Sequence, residues 1–464
     1  MNQVLASAAV SIPDLRTEFA GAVIGPADPG FLEASAVFYG EPAQPALIVR
    51  AATTDDVVRA IALARETGLE LAIRSGGHSA AGHGTTDGGI VLDLGPMKAT
   101  EIDVAGRTVW AEAGLTAAEL TGEVGTHGLA IGFGDTGSVG IGGITTGGGV
   151  GFLVRAFGLS IDNLLAADVV TADGRVVRTD AEHEPDLFWA IRGGGGNFGV
   201  VTRFQFRLHE LPGIVGGMLL LPATPEVIAG FMAASGAAPE ALSTIANVMP
   251  APPLPFVPEE LHGKLVIMAL MAYAGDDESG QRALAPFRAL AAPIADLLHP
   301  MPYGELFPPE DDSYRPIAAG RTMFIDHVDE PVARLILDRL EEHLRTSDAQ
   351  TAVVQLRALG GAMARVPVEA TAYAHRASKV MVNVAALVAA REDLPGHLPW
   401  LADVCDALDQ GDPGAYVNFV GNEGPERIRA AYPGATWDRL VEIKRRYDPT
   451  NLFHRNQNIP PDAA

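Results

Sequence analysis

Two periods of apolar residues run through this chain. From Thr53 to Gly68, Val57, Ile61 and Ala64 recur at helical spacing, Thr54 stands where a cap belongs, and Asp55 and Asp56 suit the positive end of a helix that Gly68 stops. The short apolar run LELAI then reads as a strand that delivers the loop RSGGHS at its end, a place where α/β folds present ligand-binding groups. In VVTRFQFRL the period is two, with Phe204, Phe206 and Leu208 alternating with Arg203, Gln205 and Arg207.

After about Leu211 the pattern changes. A proline-rich PAPPLPFVPEE, strand-like LVIMALMAYAG, AVVQLRAL and VMVNVAALV, and the helix EPVARLILDRLEEHLR predict a second α+β unit built on antiparallel strands. In that helix Val332, Ile336, Leu340 and Leu344 repeat every four residues as a buried stripe. From Ala415 the character changes again, to AYVNFVGN, a helix WDRLVEIKRRY stopped at Asp448-Pro449, and an amide-rich NLFHRNQNIPP that reads as a hydrogen-bonding strip.

Three glycine-dense stretches interrupt the first 200 residues: RSGGHSAAGHG, the run Ile131 to Phe152, and RGGGGNFG. Loops of this kind either let backbone N–H groups converge on an anion, a diphosphate above all, or serve as turns and close-packing points. Gly194, Gly196 and Gly199 satisfy G-x-G-x-x-G, but a strand period follows them where the dinucleotide fingerprint requires a helix, so that reading fails. No phosphate-binding G-x-x-x-x-G-K-[ST] is present.

The 464 residues carry 33 basic and 57 acidic side chains, a formal charge of −24 that repels nucleic acid and anionic membrane surfaces. Cys405 is the only cysteine, which excludes an internal disulfide framework and cysteine-rich metal sites and is compatible with a cytoplasmic location. The N-terminus MNQVLASAAVSIPDLR reads as neither an export signal nor an anchor. His78 and His83 form an H-x4-H pair, but no third or fourth ligand accompanies them, so no metal is expected.

The motifs RSGGHSAAGHG…DGGIVLDL, GIGGITTGGGVGFLVRAFGLSIDNLL, DLFWAIRGGGGNFGVVT and YDPTNLFHRNQNIPP resemble the berberine bridge enzyme-like flavoproteins, over nearly the whole chain and most closely in their bacterial 6-hydroxy-D-nicotine oxidase type. The resemblance implies an α+β, two-lobed vanillyl-alcohol oxidase-type (PCMH) fold. Residues 1–210 and 411–464 would form a discontinuous FAD-binding domain, and 211–410 an inserted substrate domain of antiparallel sheet and helices. It places covalent FAD on His78. It assigns the surrounding cofactor contacts to Arg74, Ser75, Gly76, Gly77, Ser79, Gly82, His83, Gly137, Ser138, Gly142, Gly143, Gly148, Gly149, Gly151, Gly199, Val200, Asn456 and Asn458.

The same resemblance puts Thr136 where many relatives carry a second flavin-linking cysteine, so a single attachment is implied, and puts Gly134 where a small side chain leaves room for oxygen. Arg357 stands where the alkaloid-forming members keep a catalytic glutamate. A guanidinium cannot act as a base, so Arg357 is either a recognition group for an anionic or carbonyl substrate or an ion-pair partner. Tyr416 and Tyr373 are the remaining proton handlers, with Arg357 the candidate cation to lower the Tyr416 phenol; Gln355, Asn383 and Asn418 are the expected substrate contacts.

The implied activity is an oxidase that removes hydride from a carbon bearing OH or NH of a small alcohol, amine or polyketide- or alkaloid-like metabolite and passes the electrons to molecular oxygen. A dehydrogenase of the same fold, an oligosaccharide oxidase and a disabled flavin-binding protein stand as alternatives.

Overall fold

The computed structural model describes residues 11–40, 42–307 and 314–463; most of the N-terminal stretch read for an export signal lies outside them. The first long helix spans Thr54–Thr67, with Thr53 rather than Thr54 as its cap. The Thr53 hydroxyl accepts from the Asp56 amide at 3.2 Å and the Asp56 carboxylate accepts from the Thr53 amide at 3.1 Å. A reciprocal box needs an acid three residues after the cap; Thr53 has Asp56 there, whereas Thr54 would have Val57. Asp56 is almost fully buried because it also accepts from the amides of Ala20, Gly21 and Ala52, tying the N-terminal segment to the helix start.

The helix leads into a four-stranded sheet in the order Ala22–Ile24, Leu47–Arg50, Ile90–Asp93, Leu71–Arg74; the last three strands are parallel. A five-stranded antiparallel sheet follows, ordered Thr100–Asp103, Thr108–Glu112, Val200–Arg207, Leu164–Val170, Val176–Asp180. Its central strand Val200–Arg207 buries Phe204 and Phe206 and leaves Arg203, Gln205 and Arg207 partly or fully exposed, as the alternation requires.

A larger antiparallel sheet takes in Ile214–Pro222, Leu265–Ala274, Leu242–Pro250, Thr351–Ala358, Val380–Val388 and Ile317–Ile325 in that spatial order, with short strands at its edge. Helices Pro225–Ala237, Asp277–Arg288, Glu330–Thr346 and Leu394–Leu408 contribute to the core on one side of it. Glu330–Thr346 buries Ala333, Ile336, Leu337, Leu340 and His343, while Val332 and Leu344 are only partly covered. Strict four-residue steps drift about 40° each around a helix of 3.6 residues per turn, so the ends of such a row leave the buried face and residues three apart complete it.

One hydrophobic core runs from Leu15 to Leu208 and also takes in Ala415, Trp437, Leu440, Phe453 and Ile459; a second runs from Val215 to Leu408. The C-terminal helix Ala435–Tyr447 therefore packs with the first 208 residues and not with the sheet that precedes it in sequence. No helix among the described residues is long and apolar enough to cross a membrane.

Candidate functional site

The strand Leu71–Arg74 ends in the loop carrying Ser75 to His78. The backbones of Gly76 and Gly140 cross so closely that a Cβ on either would collide with the other's amide, so these glycines bring the first and second glycine-rich loops together. Ser75 reinforces the crossing: its hydroxyl donates to the Ala113 carbonyl at 2.6 Å and accepts from the Gly142 amide at 3.3 Å. The His78 ring stacks on Phe38, centroids 4.1 Å apart and planes 19° from parallel, and its Nε2 lies 2.8 Å from Ser138 Oγ. Position and ring orientation of His78 are thus both determined.

Beside this crossing lies a cavity of about 770 Å³, within the ~300–1,000 Å³ typical of ligand and cofactor sites. Of the expected cofactor residues, Arg74, Ser75, Gly76, Gly77, His78, Ser79, His83, Gly142, Gly143, Gly199, Val200 and Asn456 line it. Arg74 does so with its guanidinium turned away, donating to the Ala34 and Ala36 carbonyls and pairing with Asp93 at 3.2 Å, so it holds the loop rather than a ligand.

Gly82, Gly137, Ser138, Gly148, Gly149, Gly151 and Asn458 are absent from the wall. Gly82 is a left-handed turn residue, the Gly137 carbonyl accepts from the Ala118 amide, and Ser138 stands behind His78. Gly148 faces the rings of Tyr373 and Tyr416, Gly149 abuts Ser160, and Gly151 fits against the carbonyls of Phe133 and Gly134. Asn458 keeps a buried Oδ1 without a hydrogen-bond partner.

The third glycine-rich loop reaches the wall through Gly195, Gly196, Asn197 and Gly199. It is anchored from below by Lys444, whose ammonium donates to the carbonyls of Asn197 and Phe453 and pairs with Asp448.

The walls fit FAD. A Cβ on Gly143 would meet no atom within 4 Å, so the backbone there stands open to the cavity. Both ring nitrogens of His83 and the Oδ1 of Asn456 are buried with no protein partner, leaving polar atoms for a bound group to satisfy. Burial, aided by the positive charge of Arg455, pushes His83 down to about 4, so its ring is neutral at physiological pH.

The opposite wall is the large sheet. Cross-strand register aligns Asn247, Gln355, Asn383 and Thr322 in one row and Ile245, Arg357 and Met381 in another two positions along, on the same face. Gln355 donates to Asn247 Oδ1 at 2.8 Å and accepts from Arg357 Nε at 2.7 Å. Arg357 Nη2 pairs with Asp135 at 2.7 Å, an ion pair linking this sheet to the second glycine-rich loop, and Arg357 Nη1 is buried without a partner. Gln355, Arg357, Asn383, Tyr416 and Asn418 all line the cavity.

Tyr416 is surrounded differently from the sequence expectation. Its hydroxyl oxygen accepts from the Gly149 amide at 3.0 Å, the Val150 amide at 3.2 Å and Asn418 Nδ2 at 2.9 Å. Burial raises the phenol above its ordinary value, and these three donors and the more distant charge of Arg357 oppose but do not reverse the shift. Arg357 is engaged by Asp135 and Gln355, so it is not the direct partner of Tyr416. Tyr373 lies off the wall, its hydroxyl buried without a partner and its pKa raised by burial; the backbone of Gly148 and the ring of Tyr416 lie against it.

Sequence reasoning missed Phe38, Asn247 and Asp135. An acid between glycines, in GFGDTG, has no apolar period to account for it and was the available signal for Asp135. Phe38 and Asn247 had none, because each is selected by a partner distant in sequence. The proline-rich loop from Pro250 to Glu260 does not line the cavity; Ala251 and Val257 pack with Leu220 and Val266.

Residues 45–180 match the family described as FAD binding domain, and 415–460 match the one described as Berberine and berberine like. The chain is 32% identical over 460 residues to (R)-6-hydroxynicotine oxidase of Paenarthrobacter nicotinovorans, covering 96% of this chain and 97% of that protein. It is also 32% identical over 429 residues to an FAD-linked oxidoreductase of Dictyostelium discoideum, covering 90% and 89%. The crystal structure of 6-hydroxy-D-nicotine oxidase from Arthrobacter nicotinovorans superposes with a TM-score of 0.84 at 28% identity, covering 98% of this chain and all of that one. A xylooligosaccharide oxidase from Myceliophthora thermophila, in complex with xylobiose, shares the fold at a TM-score of 0.84 and 23% identity, covering 98% and 100%.

Proposed function

Because this chain belongs to the berberine bridge enzyme-like family of FAD-linked oxidases, we propose that it oxidises a carbon bearing OH or NH in a small metabolite, carries its FAD covalently on His78 alone, and releases hydrogen peroxide. The observation that carries the reading is the setting of His78 on the cavity wall, oriented by the Phe38 stack and the Ser138 hydroxyl. Thr136, also on that wall, has no thiol for a second link. FAD, when bound, supplies the hydride acceptor and the route for electrons to oxygen.

The chain's own residues divide the remaining work. Ser75, Gly76, Gly77, Gly142 and Gly143 form the close backbone wall on which FAD would lie, with His83 and Asn456 offering polar contacts. Tyr416 holds a proton at its hydroxyl, where two amides and Asn418 position the oxygen and favour the phenolate if that proton leaves. The Arg357–Asp135 pair joins the two walls.

Anaerobic protein screened against alcohols, cyclic amines and aromatic polyols tests the activity. Bleaching of the yellow flavin by a member of the panel, recovery on admission of air and formation of peroxide are expected. No bleaching across the panel favours a flavin-binding protein without turnover, and bleaching that air does not reverse favours a dehydrogenase.

A further inference from the structure

Arg357 is one of the most deeply enclosed charged side chains on the cavity wall: its side chain is 5% exposed and that of its partner Asp135 is 20% exposed. Two of its three nitrogens are engaged, Nε by Gln355 and Nη2 by Asp135, while Nη1 has no hydrogen-bond partner in the protein. A buried donor left unpaired costs about 1–3 kcal/mol, more when charged, so a position of this kind is retained when something else completes it. The guanidinium is held rigidly, because Gln355 is itself fixed by Asn247, and Phe419 lies under it with the ring centroid 5.1 Å from the guanidinium carbon.

We propose that Arg357 Nη1 is the recognition point for an uncharged carbonyl oxygen on the substrate, and that the substrate is a compact, largely apolar ring compound carrying a ketone, lactone or amide carbonyl besides the OH- or NH-bearing carbon that is oxidised, and not a sugar chain. The choice of an acceptor follows from the donor set, since a guanidinium has hydrogens to give and no lone pair to receive one. The choice of an uncharged acceptor follows from Asp135, which already neutralises the guanidinium at 2.7 Å; a carboxylate placed there would meet a second carboxylate nearby. The choice of an apolar body follows from the aliphatic part of the wall, where Ala318, Ala385, Leu394, Pro395 and Leu398 would leave the hydroxyls of a sugar chain unpaired; of the polar residues that also line the cavity, Glu423 is held by Arg321 and Arg427 and Asn422 by the Ala81 carbonyl. Asn383 lies one strand from Gln355 in the same register row; its side chain makes no hydrogen bond to another described residue and is the second polar contact available to the ring.

This inference rests on the oxidase reading, and the test separates the two. Flavin-loaded protein is titrated with acetophenone, benzoate and toluene while the flavin absorption spectrum is followed. Acetophenone is expected to bind tightest. In the double variant Arg357→Met/Asp135→Asn, which leaves no unpaired charge, its dissociation constant should rise roughly 10- to 150-fold, the loss of one hydrogen bond to a charged group. Toluene should bind weakly and equally to both proteins. Asp135→Asn alone frees the guanidinium charge and should move the preference from acetophenone to benzoate.

Equal binding of acetophenone by the parent and the double variant, or no binding by the parent, overturns the proposal. Tighter binding of benzoate than of acetophenone by the parent overturns the assignment of an uncharged acceptor. Protein purified without flavin, or flavin that no panel substrate reduces, counts against the oxidase reading; a loaded, reducible enzyme indifferent to acetophenone counts against this inference alone.

Discussion

The ammonium of Lys444 lies 2.7 Å from the carboxylate of Asp448, and neither side chain is exposed. Lys444 also donates to the Asn197 and Phe453 carbonyls, and Asp448 accepts from the Leu452 and Phe453 amides, so one ion pair joins the third glycine-rich loop to the C-terminal segment. Replacing one member leaves the other charged and buried, a loss of about 3–5 kcal/mol. Lys444→Met should therefore lower the thermal midpoint sharply and reduce flavin content by freeing the Asn197 loop. Unchanged stability would mean that the interior admits water to Asp448.

His78→Ala should give protein whose flavin is lost on acid precipitation, whereas the parent pellet stays yellow and fluorescent. A protease digest of the parent should contain a single flavin-bearing peptide, the one with His78, because Thr136 cannot form a thioether. Flavin that survives precipitation in His78→Ala would move the link to another residue.

A Val side chain at Gly134 would press on the Ile144 δ-methyl, which a Cβ alone would approach to 2.8 Å, and would reduce the space on that side of the cavity. Gly134→Val is expected to slow flavin reoxidation by oxygen much more than flavin reduction by substrate, read by stopped-flow absorbance of the two half-reactions. Equal slowing of both would assign the position to substrate binding.

Tyr416→Phe removes a proton handler and also leaves the Gly149 and Val150 amides without their acceptor. Proton-transfer assistance is worth ~10²–10⁴-fold, so flavin reduction should slow within that range and its pH dependence should flatten. The unpaired amides should in addition cost about 1–3 kcal/mol each of stability. A loss of stability with reduction at the parental rate and an unchanged pH profile would leave Tyr416 as an acceptor for the loop and nothing more.

His83 stays neutral in the folded chain down to about pH 4, while its ordinary value is 6.5. The unfolded chain therefore takes up the proton first, and the folded state loses stability as pH falls through the window from 6.5 to about 4. Compared in flavin-free protein, His83→Gln should show a smaller drop in thermal midpoint across that window than the parent, with a pH-independent difference between the two above pH 7. An identical pH dependence in both would place a satisfying partner on the His83 ring.

Local pattern determined a good deal of this protein. The alternation through Phe204 and Phe206 gave a strand and ruled out the dinucleotide fingerprint before it, because side-chain period and backbone conformation are set by neighbours one to four residues apart. The motif around His78 carried the family and its cofactor. The pairing of side chains far apart in the chain was decided by tertiary structure alone. Arg357 and Asp135 meet across 222 positions, and Tyr416 receives the amides of Gly149 and Val150 across 267 and 266. Strand register and the crossing at Gly76 and Gly140 bring these groups together, and neither leaves a periodic trace near the residues it joins. For that reason Arg357 could be read from sequence as a charge near the site but not as one neutralised by Asp135, and Tyr416 as a phenol near the site but not as one held by backbone amides.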